Sequence, residues 1–199
     1  MAGAASGPSL YRRASFLLDR LGSRVAAKNV TLVDDGTIPG ALGSRPFDGE
    51  GLPTRRTVLV RDGVLESYLL DSYSGRKLGL PSTHHAVRDG AGVSVSTTNL
   101  MLMPGTTDPT DLIKSVKNGL YVTELIGFGV NGVTGDYSRG ASGLWIENGE
   151  LTFPVQEVTV AGNLLTMFDA VDGIGNDLVL RDRTASPTLL IGRMVVAGN

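Results

Sequence analysis

Two short segments constrain the fold more than anything else in the chain. Thr57-Val58-Leu59-Val60 and Val64-Leu65-Glu66-Ser67-Tyr68-Leu69-Leu70 meet across Arg61-Asp62-Gly63, and Gly143-Leu144-Trp145-Ile146 meets Glu150-Leu151-Thr152-Phe153-Pro154-Val155 across Glu147-Asn148-Gly149. Both put Asp-Gly or Asn-Gly between runs of strand-forming residues. These dipeptides accept positive φ at both turn positions, which matches the twist of two paired strands. Antiparallel hairpins are therefore obligatory. The 27 glycines among 199 residues, about twice the usual ~7 %, are scattered between apolar runs and read as turns and bulges.

Around the hairpins the pattern is mixed. Leu10, Ala14, Leu17, Leu18 and Leu21 follow one helical face and Gly22 is placed to end it. Met1 to Gly7 is small and apolar, with no evident cap before Ser6. Asn29 to Val33 reads as a strand, and Asp34 to Thr54 as a Gly/Pro-rich excursion long enough to suggest function or mobility. Val93 to Met103 offers one or two strands. Asp108-Pro109-Thr110-Asp111 starts a helix, with a capping acid and proline in the first turn, that runs to Asn118-Gly119. Leu120 to Phe128 reads as a buried strand, Leu164 to Ala170 as a short helix and Thr188 to Val196 as a last strand. Strands outnumber helices about three to one. The class is α+β, dominated by a mixed or antiparallel sheet, with two or three short helices and a barrel-like closure open to it. A length of 199 residues suits one large domain or two small ones, and a single domain over 1–199 is expected.

Composition narrows the chemistry. There is no cysteine, which excludes disulfides, Cys-bound zinc, iron–sulfur clusters and a thiol nucleophile. A net charge of −2 and pI near 5.7 give no electrostatic reason to bind nucleic acid or anionic membrane. No apolar run approaches a membrane span and the first residues do not form a signal peptide, so a cytoplasmic location is expected. The only histidines, His84 and His85, are adjacent. In extended backbone they point to opposite faces and cannot easily clasp one ion, leaving His85 as a contributor to a polar site or a loop residue near an interface. Gly127-Phe128-Gly129-Val130-Asn131-Gly132 matches GxGxxG, but the residues after it cannot open the helix that a dinucleotide site requires. Ser142 lacks a GxSxG context. Asp136, Tyr137, Ser138 and Arg139 stand between glycines just before a strand, with Ser142 beyond them. They suit either an Arg–Asp pair that stiffens a turn or a binding site.

Several of these strings, taken together, resemble the TldD/PmbA family. They are Ser72-Tyr73-Ser74-Gly75-Arg76-Lys77-Leu78-Gly79 with Ser82-Thr83, and Gly119-Leu120-Tyr121-Val122-Thr123-Glu124-Leu125. Val133-Thr134-Gly135-Asp136-Tyr137-Ser138-Arg139-Gly140-Ala141-Ser142-Gly143 belongs with them, as do Trp145-Ile146-Glu147-Asn148-Gly149, Ala161-Gly162-Asn163-Leu164 and Gly175-Asn176-Asp177. The likeness runs from about Gly3 to Gly198, and the Tyr-Ser-Arg-Gly-Ala-Ser-Gly run gives it the flavour of the PmbA (TldE) branch. It implies a two-domain protein of roughly twice this length, so that the N-terminal domain and the start of a linking helix would precede residue 1. It also implies pairing of TldD- and TldE-type subunits into a zinc metallopeptidase that matures peptides and degrades antitoxins. The zinc would be held by a helical HExxxH motif and a later cysteine of the TldD-type partner, with no cofactor on this chain. The expected role is thus a non-catalytic subunit portion that forms a heterodimer or self-associates and meets a peptide substrate through His85, Asp136, Tyr137, Ser138, Arg139 and Ser142. A free-standing peptide- or protein-binding β domain and an inert truncated remnant are the alternatives.

Overall fold

A computed structural model describes residues 1–90 and 92–198. Its strands fall into a five-stranded sheet, a four-stranded sheet and two two-stranded ribbons, each with a linear strand order. Pairing between the strands is antiparallel except where Thr184–Ala185 (β11) runs parallel to Leu100–Leu102 (β6), and isolated parallel bridges join Ser6 to Leu69 and Thr107 to Gly175. The β-dominated α+β class holds, with four short helices among the described residues.

The first hairpin forms as its turn residues require. Arg56–Arg61 (β2) and Val64–Leu65 (β3) pair Val60 with Leu65, and Asp62 and Gly63 take φ of 48° and 81°. Leu32–Asp35 (β1) joins β2 on one side and β6 on the other, giving the order β11-β6-β1-β2-β3. Val33, Leu59 and Val60 are completely buried. The main core gathers Leu10, Phe16, Leu17, Val25, Leu65 and Leu70 with Leu164, Val171 and Ile174 from the far end of the chain.

The expected N-terminal helix is cut short. Only Gly7–Tyr11 (α1) is helical, and Arg13 and Asp19 then adopt left-handed backbone at φ 56° and 59°. Tertiary bonds replace helical ones: the Ser15 hydroxyl donates to the Ala4 carbonyl at 2.5 Å and the Phe16 amide to Gly132. Leu10 and Leu17 are still buried, by turns rather than by a helical face, while Leu21 is exposed. A second helix, Ser72–Leu78 (α2), went unread although its punctuation is complete. Asp71 accepts the Ser74 amide at 2.7 Å, the Ser74 hydroxyl accepts the Asp71 amide at 3.2 Å, and Gly79 closes the helix at φ 69°. Its central Gly75 disguises it, and that glycine is needed because a Cβ would press on the Leu80 carbonyl.

The excursion after β1 is ordered by buried polar groups. Asp48 accepts the amides of Glu50 and Leu52 at 2.9 Å and of Ala86 at 3.2 Å. Asn99 accepts the Gly43 amide at 2.8 Å and donates to the Asp35 carbonyl at 2.7 Å. Val93 to Met103 splits into Gly92–Val95 (β5), paired with Ala86–Asp89 (β4), and β6.

Asp108 caps Pro109–Ser115 (α3) through the Thr110 amide. The helix stops at Ser115 rather than at Asn118-Gly119, because the second hairpin's turn docks on the following residues. Asn148 donates to the Lys117 carbonyl and Gly149 to that of Val116. Asn118–Ile126 (β7), Asp136–Glu147 (β8) and Glu150–Asn163 (β9) form the long antiparallel set, with Val195–Ala197 (β13) on the far side of β9. Asn148 and Gly149 take φ of 52° and 83°. The expectation of a buried strand at Leu120 to Phe128 is overturned. β7 is an edge strand exposed over its second half, because no further strand covers it among the described residues. Leu164–Asp169 (α4) follows β9, capped by Asn163. The final apolar run breaks at Gly192 into Leu189–Ile191 (β12), paired with Val171–Ile174 (β10), and β13, so it spans two sheets.

Candidate functional site

Ten of the sixteen large apolar residues left exposed among the described residues lie on the four-stranded sheet or in the loop after β7. Val122, Leu125, Ile126, Val195 and Val196 on its edge strands are exposed, as are Phe128, Val130 and Val133 in the loop after β7. Against one face of the sheet lies a groove of about 660 Å3. Leu120, Val122, Trp145 and Val160 of the sheet contribute to it, with α3 and residues 188–194 as the other walls. Groove, open edge and exposed loop are contiguous, since β7 lines the first, forms the second and leads into the third.

Bulges shape this sheet. Register shifts between Val122 and Glu124 on one side of β8, and between Ala141 and Gly143 on the other, so both flanking strands carry an irregularity opposite Ser142. On β9 the surplus falls at Glu157, held at φ 56°. Bulges increase local twist and bend the strands that bear them. Gly143 lies between them, and a Cβ there would collide with the Tyr121 carbonyl.

Residues 127–132, the GxGxxG match, lead into a strand and not a helix. Ser138 donates to the Gly129 carbonyl at 2.7 Å and Val130 bridges to Tyr137. No side chain fits at Gly129, where a Cβ would run into the Ser138 carbonyl. The glycine spacing therefore serves close backbone contact, and the dinucleotide reading stays rejected on geometry.

The residues singled out in the sequence are divided by the fold. Asp136, Tyr137, Ser138, Arg139 and Ser142 all lie on β8, one strand in from the open edge. Tyr137 reaches the groove, and Asp136 and Ser138 border a shallower hollow with Phe128 to Gly132. The Arg–Asp pair considered for this turn does not form. Asp136 accepts from the Thr134 hydroxyl at 2.6 Å and the Asn163 amide at 3.2 Å, bonds that hold its carboxyl below the ordinary aspartate value. Arg139 instead donates to the Leu125 carbonyl at 3.1 Å, tying the end of β7 to β8. Burial raises the Tyr137 phenol, opposed by the charge on Arg139.

His85 lies apart from all of these. It is 1 % exposed, with Nε2 3.0 Å from Asp34 Oδ2 and Nδ1 2.9 Å from the Thr83 hydroxyl. Asp34, itself fully buried, also accepts the Thr98 amide at 2.9 Å and its hydroxyl at 2.5 Å. His84 turns the other way, its Nδ1 2.6 Å from the Pro53 carbonyl. Both imidazoles are thus committed to separate partners, and no three His, Asp or Glu side chains converge as a ligand set among the described residues. These residues do not fit a zinc ion.

The sequence reasoning missed the groove itself. Its lining residues come from β7, β8, β9, α3, α4 and residues 188–196, and only their packing makes a cavity. The one available signal was the excess of apolar residues on β7, which was read as burial.

A family model described as the PmbA/TldA metallopeptidase C-terminal domain matches residues 1–198. The metalloprotease PmbA of Escherichia coli O157:H7 is 41 % identical over 198 residues, covering 100 % of this chain and 42 % of the relative. A PmbA homolog of Haemophilus influenzae is 42 % identical over 199 residues, again covering 100 % and 42 %. The crystal structure of TldE from Thermococcus kodakarensis superposes with a TM-score of 0.91 at 24 % identity, covering 100 % of this chain and 46 % of that one, a likeness of fold. The chain thus spans well under half the length of the curated relatives it matches. No helix among the described residues is long and apolar enough to cross a membrane.

Proposed function

Because this chain belongs to the PmbA/TldD metallopeptidase family and corresponds to its C-terminal domain, we propose that it is the non-catalytic, PmbA/TldE-type portion of a cytoplasmic peptidase. Its role is to hold an unfolded peptide while a TldD-type partner supplies zinc and cleaves. One observation carries this reading: β7, nine residues long and exposed over its second half, is an edge strand among the described residues and lies beside an apolar groove. An edge of unpaired amides and carbonyls accepts an extended peptide as an added strand, and main-chain bonds ask little of its sequence. Asp136, Tyr137, Ser138, Arg139 and Ser142 would act from the neighbouring strand, holding β7 in register and shaping the surface beside the peptide. His85 would act only indirectly, by fixing the body of the domain. The exposed Phe128, Val130 and Val133 are the surface offered to the partner, since contiguous apolar patches of this kind mark contacts between proteins.

No hydrolytic step is assigned to this chain, whose histidines are already engaged. The test is reconstitution. The chain is mixed with a TldD-type metallopeptidase, and the complex is followed by size-exclusion with light scattering and by cleavage of an unfolded peptide. Stable co-elution and faster cleavage are expected, and Phe128→Ser with Val130→Ser should reduce both. A chain that elutes alone and leaves the partner's cleavage rate unchanged would overturn the reading in favour of a free-standing binding domain.

A further inference from the structure

We infer that the groove beside β7 is a side-chain site for the end of an extended peptide, with Arg193 receiving the peptide's free C-terminal carboxylate. This rests on the strand-addition reading above and names its ligand class. At about 660 Å3 the groove lies within the range of small-ligand sites, and like them it is apolar with few polar groups. Among its lining residues Arg193 is the single charged one. Its side chain is exposed and enters no salt bridge among the described residues. An apolar body with one anionic group is therefore the complementary ligand, since a guanidinium binds a carboxylate through two parallel charge-assisted hydrogen bonds.

A fatty acid has that chemistry too, but the location of the groove favours a peptide. Residues 118–122 and Leu125 line the groove and belong to the edge strand itself. A chain hydrogen-bonded to β7 would turn every second side chain toward the groove. A fatty acid would leave the edge's amides and carbonyls unused. The peptide satisfies edge, groove and cation together, and its chain must stop near Arg193 for the carboxylate to be terminal.

Trp145, the only tryptophan in the chain, lines the groove and reports its occupancy. Its emission is followed while the chain is titrated with a hexapeptide of alternating valine and threonine ending in leucine. The peptide is supplied as the free acid, as the C-terminal amide, and as the free acid N-methylated at alternate residues; decanoate is titrated separately. The free acid should bind about tenfold more tightly than the amide, the equivalent of one charge-assisted hydrogen bond. Arg193→Gln should bring the acid down to the amide's affinity and leave the amide unchanged. N-methylation should abolish binding. Equal affinities for acid and amide in the unaltered chain would overturn the inference; if N-methylation still abolishes binding, strand addition survives without it. No binding of either peptide would remove both readings. Decanoate binding more tightly than the free acid, or an emission shift that follows protein concentration without peptide, would assign the groove to a lipid or to a second copy and overturn the inference.

Discussion

The five-stranded sheet and the four-stranded sheet use similar residues and are finished in opposite ways. In the first, Val33, Leu59 and Val60 are completely buried, and the loops around it are fastened by internal acids and amides: Asp34 to Thr98 and His85, Asp48 to Glu50, Leu52 and Ala86, Asn99 to Gly43 and Asp35. Most buried polar groups find a partner, and those that these acids and amides hold restrict how the loops of this region can be arranged. In the second, Ala141, Val158 and Val160 form a small buried cluster and Ile146 of β8 is buried too, while β7 and the following loop leave Ile126, Phe128 and Val130 in solvent. One region stores its stability in contacts already made. The other leaves apolar surface and a strand edge uncovered among the described residues. Elements that bind are commonly drawn from the less stable part of a structure, which is in keeping with the binding role proposed for the four-stranded sheet.

Substitutions should separate the two regions. The largest effect is expected from Asp34→Ala, which leaves the Thr98 amide and His85 Nε2 buried without their acceptor. It should lower unfolding free energy by about 3–5 kcal/mol, read from the urea midpoint; a loss under about 1 kcal/mol would mean that the network contributes little. Leu59→Ala, at a completely buried position, should cost about 2–5 kcal/mol in the same assay. Gly129→Ala must push residues 127–132 away from the Ser138 carbonyl, at about 1–3 kcal/mol as for other overpacked sites. Hydrogen exchange should then quicken at the Ser138 amide, which donates to Gly129, and not at the Thr98 amide. Equal acceleration at both would contradict the independence of the regions. Ile126→Ser should change stability by no more than about 0.5 kcal/mol, as exposed positions do, while weakening peptide capture. A stability loss as large as that of Leu59→Ala would show that β7 is already covered.

The smallest effect is a slope. The Thr134 hydroxyl and the Asn163 amide hold the Asp136 carboxyl below its reference value of 3.8. A carboxyl depressed in the folded state adds stability above its unfolded pKa, and that stability is lost as pH falls through the lower folded value. Asp136→Asn should therefore flatten the loss of stability below about pH 4 and change little at neutrality. Superimposable acid limbs for the two proteins would remove this contribution.

Local chemistry was legible wherever the deciding residues were neighbours in sequence. Asp62-Gly63 and Asn148-Gly149 turned as read, Asp108 capped α3, and the short helix read at Leu164 to Ala170 formed as Leu164–Asp169. The capping pair Asp71 and Ser74 was equally local and was overlooked behind Gly75. Errors came where a distant segment decided. The periodicity of Leu10 to Leu21 describes a helix, yet bonds from Ser15 to Ala4 and from Phe16 to Gly132 break it. β7 has the apolar content of a buried strand, and only the strand order shows it at an edge. Five of the six residues proposed for the site share β8, while His85 sits in the body with Asp34, fifty-one positions earlier in sequence.

Some conclusions needed no fold. The absence of cysteine rules out thiolate chemistry by count alone, whereas the divergence of His84 and His85 belongs to a bend with His84 at φ 64° and not to the extended backbone the sequence suggested. The hairpins, and with them the antiparallel character, were likewise set by two dipeptides whose backbone preferences are local. What only the tertiary structure decided is which apolar residues remain uncovered. Exposure is a property of neighbours, and the groove's walls come from residues 112 to 196, brought together by a sheet in which β7 stays at the edge and the last apolar run divides at Gly192 between two sheets.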